Sequence, residues 1–291
     1  MSQTPFPWPG NKAQLTDWIL DQVPAHSEFV SVFGGSGAVL LAGREHAEID
    51  LHQPHFNDAN RDVSQFFRTL RDEPTELIER LKTIPYSREL HQKWGAQFFD
   101  GKRPSDPIER AARFYFIRRT QFGGDAESLT GFRATAKGRR NSAKQWANSL
   151  SRLPRFAELL DDVTISCEDY SAILRHFRNR PEQEASEQVV LYCDPPYSGT
   201  EHRYGDTAGG FEFTDFFQQI QSLAQIKNGP QVLISTDNIP DSSRFYSKTR
   251  SHSHSMNAQH GTNQVQEHLL CNFDPNSVRS AGTATTLSEF Q

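Results

Sequence analysis

The stretch Val189-Val190-Leu191-Tyr192-Cys193-Asp194-Pro195-Pro196-Tyr197 joins an apolar run to a stiff polar corner. Its first five residues are apolar and mostly β-branched or aromatic, which is typical of a strand buried on both faces of a parallel sheet. Two prolines cannot continue a β-ladder, because each lacks an N–H group and has its φ angle fixed. The sequence therefore predicts an α/β fold in which this strand is central and stops at Asp194.

The corner after this strand carries groups suited to binding an amino nitrogen. Ligands of open α/β sheets bind at the carboxyl ends of the strands. There the Asp194 carboxylate and the Pro195 carbonyl can accept both hydrogens of a nucleobase amine, while the ring of Tyr197 stacks on the base. A simpler interpretation is a surface turn, since Pro and Asp are common turn residues.

A second strand–turn–helix unit is predicted near the N-terminus. Residues 29–33 are a short apolar run, followed by Gly34-Gly35-Ser36-Gly37 and an apolar helical segment. Glycines let a backbone approach a ligand closely, although this spacing is not the G-x-G-x-x-G fingerprint of dinucleotide sites. Asp58 follows a predicted second strand, where α/β nucleoside sites place a ribose-binding carboxylate. Upstream, Lys12 is predicted at a helix start close to Trp8. Such a place could bind a ligand that has a carboxylate and a flat ring.

Composition and charge exclude several classes of protein. The 291 residues contain neither an apolar run of membrane-spanning length nor a secretory leader, so a cytoplasmic protein is expected. The three cysteines are far apart and no Cys/His spacing suits a metal, so we expect neither a disulfide framework nor a metal site. The net charge is −5, yet residues 102–155 contain 13 Lys/Arg against four Asp/Glu. Such a segment predicts a basic face, or simply a solvated helical surface.

The chain also divides by pattern. Residues 1–60 and 160–273 follow an α/β pattern, residues 61–159 are mainly helical with a basic loop at 119–141, and residues 274–291 form a polar tail. The basic loop contains residue types that read bases or phosphates in DNA. Phe122 and Phe132 could equally anchor this loop on the core.

Four stretches then complete a pattern, in this order: Trp8-Pro9-Gly10-Asn11-Lys12, Phe33-Gly34-Gly35-Ser36-Gly37, Cys167-Glu168-Asp169-Tyr170 and Asp194-Pro195-Pro196-Tyr197. Together they resemble the D12-class DNA adenine-N6 methyltransferases, the Dam-like family that uses S-adenosylmethionine. The resemblance implies a Rossmann-like methyltransferase sheet with a mostly helical target-recognition insert. It also implies methyl transfer to N6 of a flipped adenine in double-stranded DNA, by a protein expected to be a monomer.

The resemblance assigns roles to residues. The catalytic corner would be Asp194, Pro195, Pro196 and Tyr197. S-adenosylmethionine would be held by Trp8, Lys12, Phe33, Gly34, Gly35, Ser36, Gly37, Asp58, Asp169, Tyr170 and Asp194, with Asp58 on the ribose and Asp169 and Tyr170 at the adenine. DNA would be contacted by Arg119, Gln121, Phe122, Arg133, Lys137, Arg139, Arg140 and Asn141.

One departure from the family pattern concerns the cofactor. Members commonly have an acid two residues before the Phe of the glycine motif, where this chain has Ser31. Cofactor affinity is then expected to be lower, or Asp194 to carry more of that task. The recognition loop matches only loosely, so GATC specificity is not inferred. Two alternatives stay open: another amino target, cytosine N4 or an RNA adenine, and a catalytically silent DNA-binding protein on this scaffold.

Overall fold

The computed structural model describes residues 4–122, 128–134, 141–180, 188–197, 211–255 and 262–278. Its strands are β1 Glu28–Ser31, β2 Pro54–Asn57, β3 Thr164–Ser166, β4 Val189–Cys193, β5 Gln231–Thr236, β6 Tyr246–Ser255 and β7 Thr262–Cys271. Its helices are α1 Thr16–Leu20, α2 Ala38–Glu45, α3 Arg61–Asp72, α4 Pro74–Lys82, α5 Arg88–Phe99, α6 Pro107–Thr120, α7 Ser142–Leu150, α8 Leu153–Glu158, α9 Tyr170–Arg178 and α10 Phe213–Ala224.

The described strands form one seven-stranded sheet in the order β3-β2-β1-β4-β5-β7-β6. β1 to β5 run parallel, and β7 is antiparallel to both β5 and β6. All five residues of β4 are buried, as expected for a strand covered on both faces. The predicted α/β class and the central place of β4 are confirmed. The corner at Asp194 therefore lies beside the carboxyl ends of β1 and β5.

Most elements predicted from the sequence are present, with three differences. The helix expected to start around Lys12 begins only at Thr16, so no helix N-terminus lies at Lys12. The last strand is longer than predicted and extends back to Thr262. β6 was missed altogether, because its Ser, His, Lys and Arg residues show none of the apolar alternation that identifies a strand. It is an edge strand, where polar residues are tolerated on both faces.

The helical region between β2 and β3 packs onto the sheet through a continuous apolar cluster. Phe6, from the segment before α1, is fully buried and packs edge-on against Phe66 of α3 and Phe114 of α6. Phe56 of β2 contacts Phe67 of α3, with ring centroids 4.5 Å apart. The same cluster extends through α4, α7 and α8. The insert therefore shares its interior with one face of the sheet.

Part of the predicted basic loop is visible. Gln121 and Phe132 form an antiparallel bridge, and the N–H of Phe122 donates to the carbonyl of Gly131 at 2.9 Å. This is the base of a hairpin following α6. Residues 123–127 and 135–140 lie outside the described residues. So do most of the glycine-rich segment predicted after the catalytic corner (198–210) and residues 279–291 of the polar tail.

Candidate active site

A cavity of about 180 Å³ opens at the carboxyl ends of β1, β2 and β4. All but one of the predicted cofactor-binding residues line it. It is lined by Trp8, Pro9, Gly10, Asn11, Lys12, Ser31, Val32, Phe33, Gly34, Gly35, Ser36, Ala38, Val39, Asp58, Ala59, Asn60, Glu168, Asp169, Tyr170, Tyr192, Asp194, Pro196 and Phe211. The structure therefore brings together four sequence stretches that are distant along the chain. The exception is Gly37, which takes a left-handed φ of 74° as the N-cap of α2.

The backbone of the glycine turn lines the cavity without side chains at Gly34 and Gly35. Phe56 and Trp8 leave no room for a Cβ at either residue. A Cβ at Gly34 would lie 2.2 Å from the ring of Phe56, and one at Gly35 would lie 2.8 Å from Trp8. Gly35 also has a left-handed φ of 53°, which disfavours other residues. Its N–H donates to Oδ2 of Asp58 at 2.7 Å. The turn is thus fixed between Trp8 and Asp58.

Asp58 holds two loops together at the ribose position expected from the sequence. Besides the bond from Gly35, its Oδ1 accepts the N–H of Asn60 at 2.7 Å. Burial raises the pKa of Asp58 to about 6, although both N–H donors act in the opposite direction. Each carboxylate oxygen keeps a second lone pair for a ligand hydroxyl.

Asn57, just before Asp58, was not singled out from the sequence. Its amide donates to the carbonyls of Val32 and Glu168 at 2.9 and 3.0 Å, and its Oδ1 accepts the N–H of Glu168 at 2.9 Å. The Ser166 hydroxyl also donates to this oxygen. The buried Asn57 side chain therefore uses both its amide group and its oxygen in hydrogen bonds. These bonds connect the carboxyl ends of β1, β2 and β3 beside the cavity. In the sequence, the available signal for this residue was an asparagine at the end of a predicted strand.

One wall of the cavity is aromatic. The ring of Tyr170 stacks on Phe33, with centroids 5.8 Å apart and planes at 27°, and Phe211 packs edge-on against both rings. The Tyr170 hydroxyl donates to Asp215 of α10 at 2.9 Å, which fixes the ring. Asp169 caps α9 by accepting the N–H of Ser171. Phe211 was not predicted as a site residue, because it follows a segment without periodicity.

At the catalytic corner, Lys12 meets Asp194. The Nζ of Lys12 lies 2.7 Å from Oδ1 of Asp194 and donates to the carbonyl of Gly10 at 2.8 Å. It also lies 4.8 Å from the ring centroid of Tyr197. The Lys12 side chain is 5% exposed and that of Asp194 19%, so this ion pair is largely removed from water. Lys12 was expected at the methionine part of the cofactor; it lines the cavity and binds the carboxylate of Asp194, which the sequence predicted to be catalytic.

Glu267 of β7 completes this corner and was not predicted from the sequence. Its Oε1 lies 3.7 Å from Nζ of Lys12 and accepts a hydrogen bond from the Tyr197 hydroxyl. The residue is only 3% exposed, rare for a glutamate. It sits in a mainly polar stretch, Gln264-Val265-Gln266-Glu267, without the apolar alternation that would mark one face as buried. Only the fold shows that this carboxylate points towards Lys12.

The protonation states at this corner depend on one another. Burial disfavours the ammonium of Lys12, but the charges of Asp194 and Glu267 outweigh burial and raise its pKa. Burial raises the pKa of Asp194, and Lys12 partly offsets this. Burial also raises the pKa of Glu267 to about 7, with the charge of Asp194 acting in the same direction. Lys12 is therefore charged at neutral pH, whereas Glu267 is close to its titration point.

Ser31 lies at the carboxyl end of β1, is 3% exposed and lines the cavity. An uncharged hydroxyl thus occupies the place where an acid was expected from the family pattern. The carboxylates that line the described cavity belong to other positions, namely Asp58, Glu168, Asp169 and Asp194.

The positive charge of residues 102–155 is not one uniform face. Arg103 and Arg110 both bind the buried carboxylate of Asp62, at 2.8 and 2.7 Å, so they hold α3 against α6 and the segment before it. Arg155 is paired with Glu45 and Glu158. These three arginines are therefore paired with carboxylates of the described chain.

A smaller basic cluster lies at the base of the hairpin. The charge of Arg119 contributes to lowering the pKa of both Arg133 and Arg152, after the larger effect of burial. Arg133 and Arg152 therefore each lie near Arg119. None of the three has an ion pair with a described carboxylate. Arg152 was not among the residues predicted to contact DNA.

The other predicted DNA-contact residues have different environments. Phe122 is 54% exposed, whereas Gln121 is fully buried in the bridge to Phe132. Asn141 caps α7 with its side-chain oxygen. Lys137, Arg139 and Arg140 lie outside the described residues.

The sheet order, the glycine turn and the Asp-Pro-Pro-Tyr corner beside a cavity define the methyltransferase class of α/β proteins. Comparison with known proteins agrees. The model of the family described as D12 class N6 adenine-specific DNA methyltransferase matches residues 8–261. The chain belongs to this family, and its activity is methylation of adenine N6 in DNA.

Similar proteins have matching names. The chain is 27% identical over 252 residues to a DNA adenine methylase of Vibrio cholerae, covering 82% of this chain and 83% of the relative. It is 24% identical over 289 residues to the DNA adenine methylase of Escherichia coli K12, covering 94% and 96%. A type II methyltransferase of Methanocaldococcus jannaschii is 23% identical over 218 residues, covering 68% and 70%.

Two further features concern partners. Within the described part of the chain, no three His, Cys, Asp or Glu side chains are grouped as a metal site would require. The described helices include none with the length and apolarity needed to cross a bilayer.

Proposed function

We propose that this chain transfers the methyl group of S-adenosylmethionine to N6 of an adenine that has been flipped out of double-stranded DNA. The observation that carries the proposal is the buried Asp194 carboxylate, held by Lys12 where the cavity meets the Asp-Pro-Pro-Tyr corner. When bound, the cofactor would supply a methyl group activated by its sulfonium. Everything else required is positioning and electrostatics supplied by the chain.

The residues around the cavity fit such a cofactor. The bare turn at Gly34 and Gly35 gives close backbone access for its methionine part beside Trp8. Asp58 presents a carboxylate to the ribose hydroxyls. The wall made by Phe33 and Tyr170 offers an aromatic surface to the adenine ring. These features support the assignment of the cofactor-binding residues made from the sequence.

The target adenine would bind at the corner itself. Asp194 and the carbonyl of Pro195 accept the two hydrogens of the N6 amine, which directs its lone pair at the methyl group. Lys12 keeps Asp194 ionised and so able to accept. No strong base is required, because the methylated amine is acidic and releases its proton readily.

We infer that helices α3 to α8 and the hairpin after α6 contact the DNA. The cluster of Arg119, Arg133 and Arg152 supports this, because guanidinium groups without carboxylate partners bind phosphates or guanine edges. Exposed Phe122 is a candidate for contact with bases next to the target. Lys137, Arg139 and Arg140 are proposed for the same surface, whereas Gln121 and Asn141 have structural contacts that compete with a DNA role.

The proposal is tested by incubating the protein with isotopically labelled S-adenosylmethionine and unmethylated double-stranded DNA, followed by mass spectrometry of the nucleosides. The expected product is labelled N6-methyladenine, and none with Asp194→Ala, whose circular dichroism spectrum should match the wild type. Labelled N4-methylcytosine, or methylation of RNA alone, would instead identify the alternative targets. Wild-type activity in Asp194→Ala would refute the role of the corner.

A further inference from the structure

Glu267 is a buried carboxylate that the methyl-transfer scheme above does not use. It reaches the corner from β7, which lies on the opposite side of β5 from β4. Its Oε1 lies 3.7 Å from Nζ of Lys12 and accepts from the Tyr197 hydroxyl. A buried carboxylate costs free energy unless it is paired. Its presence at this place therefore calls for a function.

The three charged groups at the corner form a small buried cluster with an unbalanced charge. Lys12 contributes one positive charge, and Asp194 and Glu267 contribute one negative charge each when ionised. The cluster then carries one net negative charge. When Glu267 is protonated, the cluster is neutral. A single proton on Glu267 thus decides the charge at this end of the cavity.

The proposed methyl donor and its product differ in charge in the same way. S-adenosylmethionine has a sulfonium, an ammonium and a carboxylate, which leave one net positive charge. After methyl transfer the sulfonium becomes a thioether, and S-adenosylhomocysteine is neutral overall. A negative cluster beside the cavity therefore attracts the donor more strongly than the product.

We propose that Glu267 is a positioning residue that fixes Lys12 and Tyr197 around Asp194 and makes this cluster negative, so that the site prefers the cationic donor over its neutral product. This inference rests on the proposed use of S-adenosylmethionine. The residue at the end of β1 that lines the cavity is Ser31, which has no charge. Glu267 adds a negative charge to the same site from β7, where it lies next to Lys12.

Other charged and titratable groups surround Glu267. These groups come from the segment before α1, from β4 and the corner after it, and from the end of β5. A further one is the register partner of Glu267 on β6. They are Lys12, Tyr192, Asp194, Tyr197, Asp237 and Arg250. With a pKa of about 7, Glu267 gains its charge as the pH rises through neutrality. The preference for the donor should rise over the same range.

The test compares binding of S-adenosylmethionine and S-adenosylhomocysteine by isothermal titration calorimetry, without DNA, at about pH 6 and about pH 8.5. For the wild type we expect the ratio of the two affinities to rise by about fivefold in favour of the donor. In Glu267→Gln the ratio should stay at the low-pH value of the wild type. Asp58 also titrates near pH 6, so the difference between wild type and Glu267→Gln is the quantity that counts.

Two further variants separate charge from structure. Glu79→Gln removes an exposed carboxylate of α4 that pairs with Lys82, far along the chain from this cluster, and should retain the wild-type ratio. Glu267→Asp keeps the charge and should retain the pH dependence, while its shorter side chain lowers kcat for DNA methylation more than it changes KM. A similar kcat and KM in Glu267→Asp and wild type would overturn the positioning role.

The outcomes distinguish this inference from the proposed function. A wild-type ratio that does not change with pH, or the same change in Glu267→Gln, overturns the role of Glu267 even if DNA is methylated. If the wild-type chain bound no S-adenosylmethionine at all, the proposed donor itself would be refuted, and the inference with it.

Discussion

Nζ of Lys12 lies 2.7 Å from Oδ1 of Asp194, so the first and last of the four motif stretches meet in one largely buried ion pair. The pair joins the segment before α1 to the end of β4. Each partner changes what the other can do: Asp194 helps keep Lys12 protonated, and Lys12 opposes the rise in the pKa of Asp194 that burial causes. In the proposed mechanism, methyl transfer depends on the second effect, because an ionised Asp194 is a stronger acceptor for a hydrogen of the N6 amine than a protonated one.

Replacing Lys12 by Met should impair methylation and shift its pH dependence. Without the ammonium, the pKa of Asp194 rises further, so a higher pH is needed to ionise it. We expect kcat/KM at neutral pH to fall by about tenfold or more, and the acidic limb of the pH–rate profile to move to higher pH. The measurement is kcat/KM for DNA methylation across the pH range in which the protein is folded.

Lys227→Met is the matched control for this variant, because Lys227 is an exposed lysine after α10, outside the helices inferred to contact the DNA. Its pH–rate profile should equal that of the wild type. An acidic limb at the same pH in Lys12→Met and wild type would contradict the role given to Lys12.

Adding a methyl group at Gly34 should destabilise the fold. The new Cβ would lie 2.2 Å from the ring of Phe56, which is fully buried and unable to move aside cheaply. Overpacking of this kind costs about 1–3 kcal/mol. We expect Gly34→Ala to lower the free energy of unfolding in urea by this amount. Gly131→Ala, where a Cβ meets nothing within 4 Å, should show a much smaller effect; equal losses would argue against the packing explanation.

The contribution of Asp58 to the free energy of unfolding should fall as the pH rises. Its folded-state pKa of about 6 lies above its usual value of 3.8, so the folded protein binds the proton more tightly than the unfolded chain. Its contribution is therefore best below about pH 4 and declines as the pH rises through about 6, by up to about 3 kcal/mol in total. The measurement is the free energy of unfolding of wild type and Asp58→Asn between about pH 4 and above about pH 6. The wild type should lose stability relative to the variant as the pH rises. A pH-independent difference would show that Asp58 has an ordinary pKa.

The arginines of the insert should differ in their effect on DNA binding. Arg119→Gln removes a guanidinium from the cluster without described carboxylate partners, so we expect weaker binding and a salt dependence reduced by about one counterion. Arg155→Gln removes one already paired with Glu45 and Glu158 and should change neither. Fluorescence anisotropy with duplex DNA at several salt concentrations would measure both. Equal slopes for the two variants would place the DNA elsewhere.

The sequence predicted those parts of the site that depend on local chain properties. A buried strand ended by two prolines placed Asp194, and a glycine turn after a short strand placed Gly34 and Gly35 at the cavity. Local pattern could not predict Glu267, because its burial and its contact with Lys12 come from the pairing of β7 between β5 and β6. The polar β6 was missed for a related reason: it is stabilised by its long antiparallel ladder with β7 and not by an apolar face.

The same distinction applies to the basic segment. Counting charges along residues 102–155 could not separate Arg103 and Arg110, which neutralise Asp62, from Arg119, which lies beside two other arginines. That separation depends on which acidic residues the fold brings close. A charge count along the chain therefore overestimates how many of these positive charges lack a carboxylate partner.

Phe6 packs against both Phe66 and Phe114, so the residues ahead of the first strand share an interior with the helices between β2 and β3. Anyone exchanging those helices with a relative's to redirect sequence choice would have to graft the matching N-terminal rings as well. A swap made at the insert boundaries alone would leave Phe6 and Phe56 facing a foreign surface. If the hairpin after α6 contacts the DNA as proposed, changing its residues would disturb this shared interior less than replacing the whole insert.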